Sequence, residues 1–315
     1  MAEVLNTDAN RRKIWGLNPN VFFLGIVSLL TDVSSEMIFT LVPLFLCNVL
    51  GAATTIVGLI GGLSESTDAI FRIFSGWFSD RIGKRKLLAV LGYSISTVAK
   101  PFMYVATTWG MVLGIRFGDR VGKGVRTSSR DALIADSISA EERGKGFGLH
   151  RAMDTFGAVL GLAIAAAIIF FVQGGGLKLS LETYQWLVLI GVAPAVLAVL
   201  LLLIFVREQK RKPSPSSPDH KFTLTKLTMG FDARLKVFLA IMAVFSLGNS
   251  SDFFVILRAQ NLEASVFHVV LMLVLFNVTY AVTALPVACS QIDWGGGGLL
   301  PLAGSFIPWF TLGLL

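Results

Sequence analysis

The residues of this chain that could do chemistry are the charges interrupting its long apolar runs. One stretch reads Gly114-Ile115-Arg116-Phe117-Gly118-Asp119-Arg120-Val121-Gly122-Lys123-Gly124. At about 100° per residue on a helix, Arg116, Asp119, Arg120 and Lys123 fall within an arc of about 100°, and the rest of the surface is apolar or glycine. Asp119 can pair with Arg116 three residues before it and with Lys123 four after it, which leaves Arg120 as the surplus cation. A second stretch places Asp32, Ser35 and Glu36 on one face. Two carboxyls one turn apart in a dry site repel, so one should hold its proton. That suits a proton carrier, and equally an acid pair held by Arg116 or Arg120. Glu65, Asp68 and Arg72 form another stripe, in which Asp68 and Arg72 have the spacing of an internal ion pair. Asn249, Ser250 and Asp252 are polar groups in a later apolar run. A charge at mid-bilayer costs roughly 2.5–3.5 kcal/mol, so each of these asks for a reason.

The elements that must position them are membrane helices. The chain has 315 residues, is 54% hydrophobic and only 15% charged, with a mean hydropathy of +0.72. A soluble domain has roughly 25% charged residues. Apolar runs of about 20 residues or more then read as an all-α polytopic membrane protein. Eight spans are expected, at residues 19–49, 54–78, 87–107, 109–135, 146–172, 183–206, 235–257 and 265–287. Residues 1–18 precede them, and 207–234, with Pro213, Pro215 and Pro218, read as a soluble linker.

The bases sort by connection. The N-terminus (Arg11-Arg12-Lys13), the loops after the second and fourth spans and the 207–234 linker are basic. This sets those segments and the N-terminus in the cytoplasm of a multi-pass protein of the plasma membrane. The net charge of +7 belongs to these loops, and no soluble basic domain is present to bind nucleic acid. Cys47 and Cys289 have no metal-ligand or disulfide spacing, so no metal or cofactor is expected. No nucleophile–base pair, metal spacing or nucleotide loop points to an enzyme. Four glycines at 295–298 lack the strand–loop–helix context of a phosphate cradle. His150, beside Arg151 and Asp154, reads as a satisfied interfacial residue rather than a titrating switch.

Between the second and third spans lies Gly76-Trp77-Phe78-Ser79-Asp80-Arg81-Ile82-Gly83-Lys84-Arg85. This order resembles the signature loop between helices 2 and 3 of the major facilitator superfamily (MFS) of secondary transporters. Arg120-x-x-Lys123-Gly124 resembles the helix-4 motif R-x-x-Q-G of that family, with Lys123 in place of Gln. Gly157 and Gly161 form a G-x-x-x-G pair for close helix packing. They lie in a segment similar to the helix-5 motif of MFS antiporters, with Leu162 in place of its proline.

The resemblance implies an MFS-like helical bundle with a complete six-helix N-terminal half (19–206) and a partial C-terminal half (235–287). It implies transport of a small solute around a midplane cavity, with proton coupling. Efflux of a drug or metabolite is favoured over uptake of an organic anion. Asp32, Glu36, Arg116, Asp119, Arg120, Lys123, Asn249 and Asp252 would serve the cavity and coupling. Gly76, Asp80, Arg81, Gly83, Lys84 and Arg85 would serve gating, Gly76 by letting a helix approach. Asp80 would meet a helix N-terminus, in the family that of helix 11. The implied partners are solute, protons and the bilayer, around a monomer. After Val287 a second signature loop should appear, but residues 288–315 are glycine-rich and differ. The sequence therefore predicts a truncation or frameshift near residue 287, and a transport-inactive fragment is the alternative.

Overall fold

The computed structural model describes residues 14, 17–139, 142–208, 232–248 and 251–293. Its elements among these residues are helices, apart from an antiparallel bridge between Ile14 and Leu17: α1 (Pro19–Phe39), α2 (Val42–Leu44), a π turn (Phe45–Val49), α3 (Thr54–Ile82), α4 (Arg85–Ala99), a 3-10 turn (Lys100–Val105), α5 (Trp109–Ser137), α6 (Arg143–Gln173), α7 (Leu181–Phe205), α8 (Ala233–Gly248), α9 (Asp252–Asn261) and α10 (Val266–Asp293).

Three expected spans prove to be interrupted, each beside a residue that explains it. Pro43 sits in the α2 turn, where the chain passes from α-helical to π-helical hydrogen bonding. Pro101 opens the 3-10 turn that finishes the third span. The single span expected over 235–257 is two helices, α8 and α9. Ser251 caps α9, accepting a hydrogen bond from the Phe253 amide at 3.4 Å. A serine cap offers the backbone an alternative to continuing the preceding helix.

Among the described residues, four segments are long and apolar enough to cross a membrane: Pro19–Val49, Arg85–Val105, Arg143–Gln173 and Leu181–Phe205. Helices α3 and α5, at 29 residues each, have the length without the apolarity. Their charges and hydroxyls face other helices and the cavity described below.

Helix α5 is the centre of the packing, against α3 on one side and α4 on the other, while α1 packs on α6 and α7, and α10 on α6. Glycine makes these approaches close. A Cβ on Gly122 would lie 2.6 Å from the Gly92 carbonyl oxygen, and one on Gly124 2.8 Å from the Asp68 carbonyl oxygen. Gly157 and Gly161 meet α1 in the same way, at 2.5 Å from Leu29 O and 2.6 Å from Val33 O. The expected G-x-x-x-G packing is therefore present, and its partner is α1. Leu162 is buried beside it. Gly76 differs from the expectation. A Cβ there would make only ordinary contact with Ser128, at 3.7 Å, so the close approach is made by Gly124 instead.

The two ends of the bundle are held differently. At the basic end, Arg85 reaches Asp80 at 3.4 Å, pairs with Asp136 of α5 and donates to Ala132 O at 3.0 Å. The backbone amides of Arg85 and Lys86 donate to the Glu208 carboxylate at 3.0 and 2.8 Å. This places an acid on the otherwise unsatisfied N-terminus of α4. Gly83 takes the left-handed conformation, φ 70°, that closes α3. Arg81 lies over the Trp77 ring at 5.4 Å. Asp80, expected to meet a distant helix N-terminus, is thus tied to its own loop by Arg85. At the opposite end, the 174–180 turn meets the α9–α10 turn. Gln260 donates to Leu177 O at 2.9 Å, and the Val266 amide to Gly176 O at 3.2 Å.

Candidate functional site: a charged cavity between the helices

A cavity of ≈ 1420 Å³ lies between α1, α3 and α5 on one side and α8, α9 and α10 on the other. It gathers Asp32, Glu36, Arg116, Asp119, Arg120, Lys123 and Asp252 from the residues the sequence singled out. Asn249 falls outside the described residues. The residues of the 76–85 loop, expected to serve gating, lie at the basic end, away from the cavity lining.

The charges of α5 reach the cavity because glycines occupy the positions between them. Gly122 seats α5 on α4 and Gly124 seats it on α3, so the helix is anchored on both flanks while its charged arc faces inward. Arg116 is 1% exposed, with its guanidinium 4.6 Å from the centre of Phe39 and 5.8 Å from that of Phe253. Asp119 Oδ2 lies 3.7 Å from Arg116 and 3.9 Å from Arg120, while its Oδ1 accepts a 2.5 Å hydrogen bond from Ser96 of α4. Arg120 also reaches Glu65 of α3 at 3.5 Å.

This pairing corrects the sequence expectation. Asp119 pairs with Arg116 and Arg120, not with Lys123. Lys123, rather than Arg120, makes no ion pair within 4.0 Å among the described residues. The helical arc was read correctly, but arginine's wide fork lets two of them converge on one carboxylate. Arg72 and Asp68 pair as expected, at 2.6 Å within α3. His150 departs from the satisfied residue expected: its Nδ1 lies 3.4 Å from Asp154, but its buried Nε2 has no hydrogen-bond partner among the described residues.

On α1, Glu36 accepts a 2.5 Å hydrogen bond from Thr40, one turn on. Asp32 lines the same wall and makes no hydrogen bond or ion pair among the described residues. The cavity therefore has two carboxyls of α1 in its lining, one turn apart. Its remaining walls, among them Leu162, Ile256 and Val269, are apolar.

Two basic residues were missed. Lys100 is 0% exposed and donates to Ser34 Oγ at 2.8 Å and Ser35 Oγ at 3.1 Å, which ties the 3-10 turn to α1. The available signal was a lone cation inside an apolar run, followed by proline. Arg126 lines the cavity with its guanidinium 4.7 Å from the Tyr93 ring. It continues the α5 arc by one more turn, which its spacing from Lys123 could have revealed. No group of three or more His, Cys, Asp or Glu side chains placed to hold a metal occurs among the described residues.

The comparisons with known proteins agree with this geometry. An uncharacterized MFS-type transporter of Methanocaldococcus jannaschii is 35% identical over 287 residues, covering 89% of this chain and 68% of that protein. An uncharacterized protein of Mycobacterium tuberculosis is 30% identical over 194 residues, 61% of this chain and 44% of its own length. The multidrug resistance protein MdtH of Cronobacter sakazakii is 28% identical over 149 residues, 47% of this chain and 37% of its own. The chain thus spans about two thirds of the first relative and less than half of the other two. Among solved structures, a D-xylose-proton symporter superposes with a TM-score of 0.62 at 17% identity, covering 87% of this chain and 69% of that one, a likeness of fold. The sequence model of the Major Facilitator Superfamily matches residues 24–314, across the segment after Val287 that the sequence reading set apart. The bundle, its charged cavity and these matches lead to one conclusion: the chain belongs to the Major Facilitator Superfamily of transporters.

Proposed function

We propose that this chain carries a small solute across the cytoplasmic membrane as a secondary active transporter. Residues 19–206 form one six-helix half and 235–287 part of the second, joined by the 207–234 linker on the cytoplasmic side. The basic end of the bundle faces the cytoplasm, as does the N-terminus. The supporting observation is the cavity itself. It is walled by both parts of the chain, it holds the side chains of Asp32 and Lys123 without a hydrogen bond or close ion pair among the described residues, and it keeps two nitrogens of Arg116 unsatisfied. Charges left so are costly unless a solute or proton uses them. In this reading Asp32 and Glu36 carry the coupling proton. Arg116, Arg120 and Lys123 meet the solute, and Asp252 and Asn249 belong to the wall that α8 and α9 bring. Gly76, Asp80, Arg81, Gly83, Lys84 and Arg85 hold the cytoplasmic gate.

Efflux of a drug or metabolite is the favoured direction, since the MdtH relative is named for multidrug resistance. Uptake of an organic anion is the second reading, favoured by the four cations of α5 in the lining. Proteoliposomes with an imposed pH gradient and a panel of radiolabelled solutes and dyes test the proposal. Gradient-driven movement of any of them supports it, and gradient-insensitive leakage identical to empty liposomes overturns it. Reporter fusions after Lys86, Lys145 and Lys212 should all report cytoplasm; an external signal from any one overturns the orientation.

A further inference from the structure

The Arg116 guanidinium is enclosed in an unusual way. Phe39 of α1 and Phe253 of α9 lie 4.6 and 5.8 Å from it, so aromatic rings cover it while its N–H groups carry its bonding capacity. The Nε and Nη1 atoms are buried and have no hydrogen-bond acceptor among the described residues. The nearest acid, Asp119, stands 3.7 Å from Nη1, beyond hydrogen-bond reach, and its other oxygen is taken by Ser96. One turn along, Arg120 Nε is buried without an acceptor as well. Two neighbouring guanidiniums in the cavity lining thus keep buried donors that no side chain among the described residues satisfies. Buried donors left open in this way are expensive, and an anionic acceptor relieves them.

The surroundings narrow the anion. Asp32, Glu36 and Asp252 line the same cavity, so a doubly charged group such as a phosphate monoester meets repulsion that a single charge largely escapes. The rings of Phe39 and Phe253 favour a flat group beside the guanidinium, and the apolar walls accept a hydrocarbon remainder. We infer that Arg116 and Arg120 form the seat for the carboxylate of a small amphipathic monoanion, and that Phe253, brought by α9, completes it. This rests on the proposed transport reading for the site's use, though not for its existence.

The second half of the inference concerns closure. Phe253 sits against Gly61 and Phe254 against Gly58, one turn apart on α3. A Cβ on either glycine would lie 3.2 and 3.0 Å from the respective ring. The ring that covers Arg116 is therefore also part of the contact joining α9 to α3. An occupied seat then favours the joined arrangement, because only that arrangement places Phe253 over the guanidinium.

The test uses the full purified chain in detergent, with benzoate as probe and benzamide and phenylphosphonate as its neutral and dianionic counterparts. Binding is read by tryptophan fluorescence and thermal shift, and [14C]benzoate flux is followed in parallel in proteoliposomes. Benzoate should bind saturably, with benzamide and phenylphosphonate at least about tenfold weaker. Arg116→Gln should weaken benzoate at least about tenfold. Phe253→Ala, which leaves the buried arginine in place, should weaken it by about three- to tenfold. Gly61→Leu, which obstructs the ring's seat on α3, should weaken it without touching either arginine. Equal affinity for benzoate and benzamide, or wild-type benzoate affinity in both Arg116→Gln and Phe253→Ala, overturns the inference. So does the absence of benzoate binding while other solutes are transported. Benzoate binding that depends on Arg116 without flux of any solute keeps the seat and overturns the transport reading.

Discussion

The basic end of the bundle and the cavity use the same residue types to opposite effect. At the basic end Arg85 is shared by Asp80, Asp136 and a backbone carbonyl, and Glu208 is spent on two backbone amides. These groups are paired, although water stands close by and the net gain of such pairs is small. In the cavity, where solvation is poor, the side chains of Asp32 and Lys123 make no hydrogen bond and no ion pair within 4.0 Å among the described residues, and Arg116 keeps two open nitrogens. A fold optimised for stability alone would reverse this distribution. Saturation at the end fixes helices to one another, and incompleteness at the centre leaves capacity for something that comes and goes.

The contrast can be broken from the largest effect downward. Gly124→Val attacks the scaffold that delivers the charges. Its side chain meets Phe71 Cβ at 2.7 Å and the Asp68 carbonyl at 2.8 Å, so folded protein should be lost, read as disappearance of the monodisperse chromatographic peak. Arg120→Ala should leave that peak in place while solute flux falls below about one hundredth, since Asp119 and Glu65 lose a shared counter-ion in the cavity. Undiminished flux would remove Arg120 from the site. Asp32→Asn should cut gradient-driven flux about tenfold while gradient-free exchange persists, which separates a proton carrier from a structural acid. Arg85→Ala should lower the melting temperature by only about 2–5 °C and flux by less than about tenfold. A collapse of flux there would mean that the saturated end is itself part of the moving machinery.

Much of this was legible in the sequence for a physical reason. The arc of Arg116, Asp119, Arg120 and Lys123 follows from helical geometry alone, and the G-x-x-x-G of α6 announces a close helix contact. The partners were not legible. Nothing local says that Gly157 meets Leu29 or that Phe253 rests on Gly61, because residues far apart in the chain become neighbours only once the helices pack. Lys100 was passed over because its long stem lets a cation sink fully among apolar neighbours when two hydroxyls wait for it. The division of the 235–257 span had a signal, Gly248 followed by four polar residues up to Asp252, but these were read as cavity lining rather than as the end of one helix and the cap of the next.

The glycine contacts around α5 carry a consequence for how its backbone meets solvent over time. Where Gly92 and Gly122 bring two main chains together, no side chain stands between them to shift and admit water. The amides of residues 118–126 can then exchange their hydrogens for deuterium only when whole helices part. Their exchange rates report the opening of the slab as a unit, and should be the slowest in the chain even though this is its most charged buried helix.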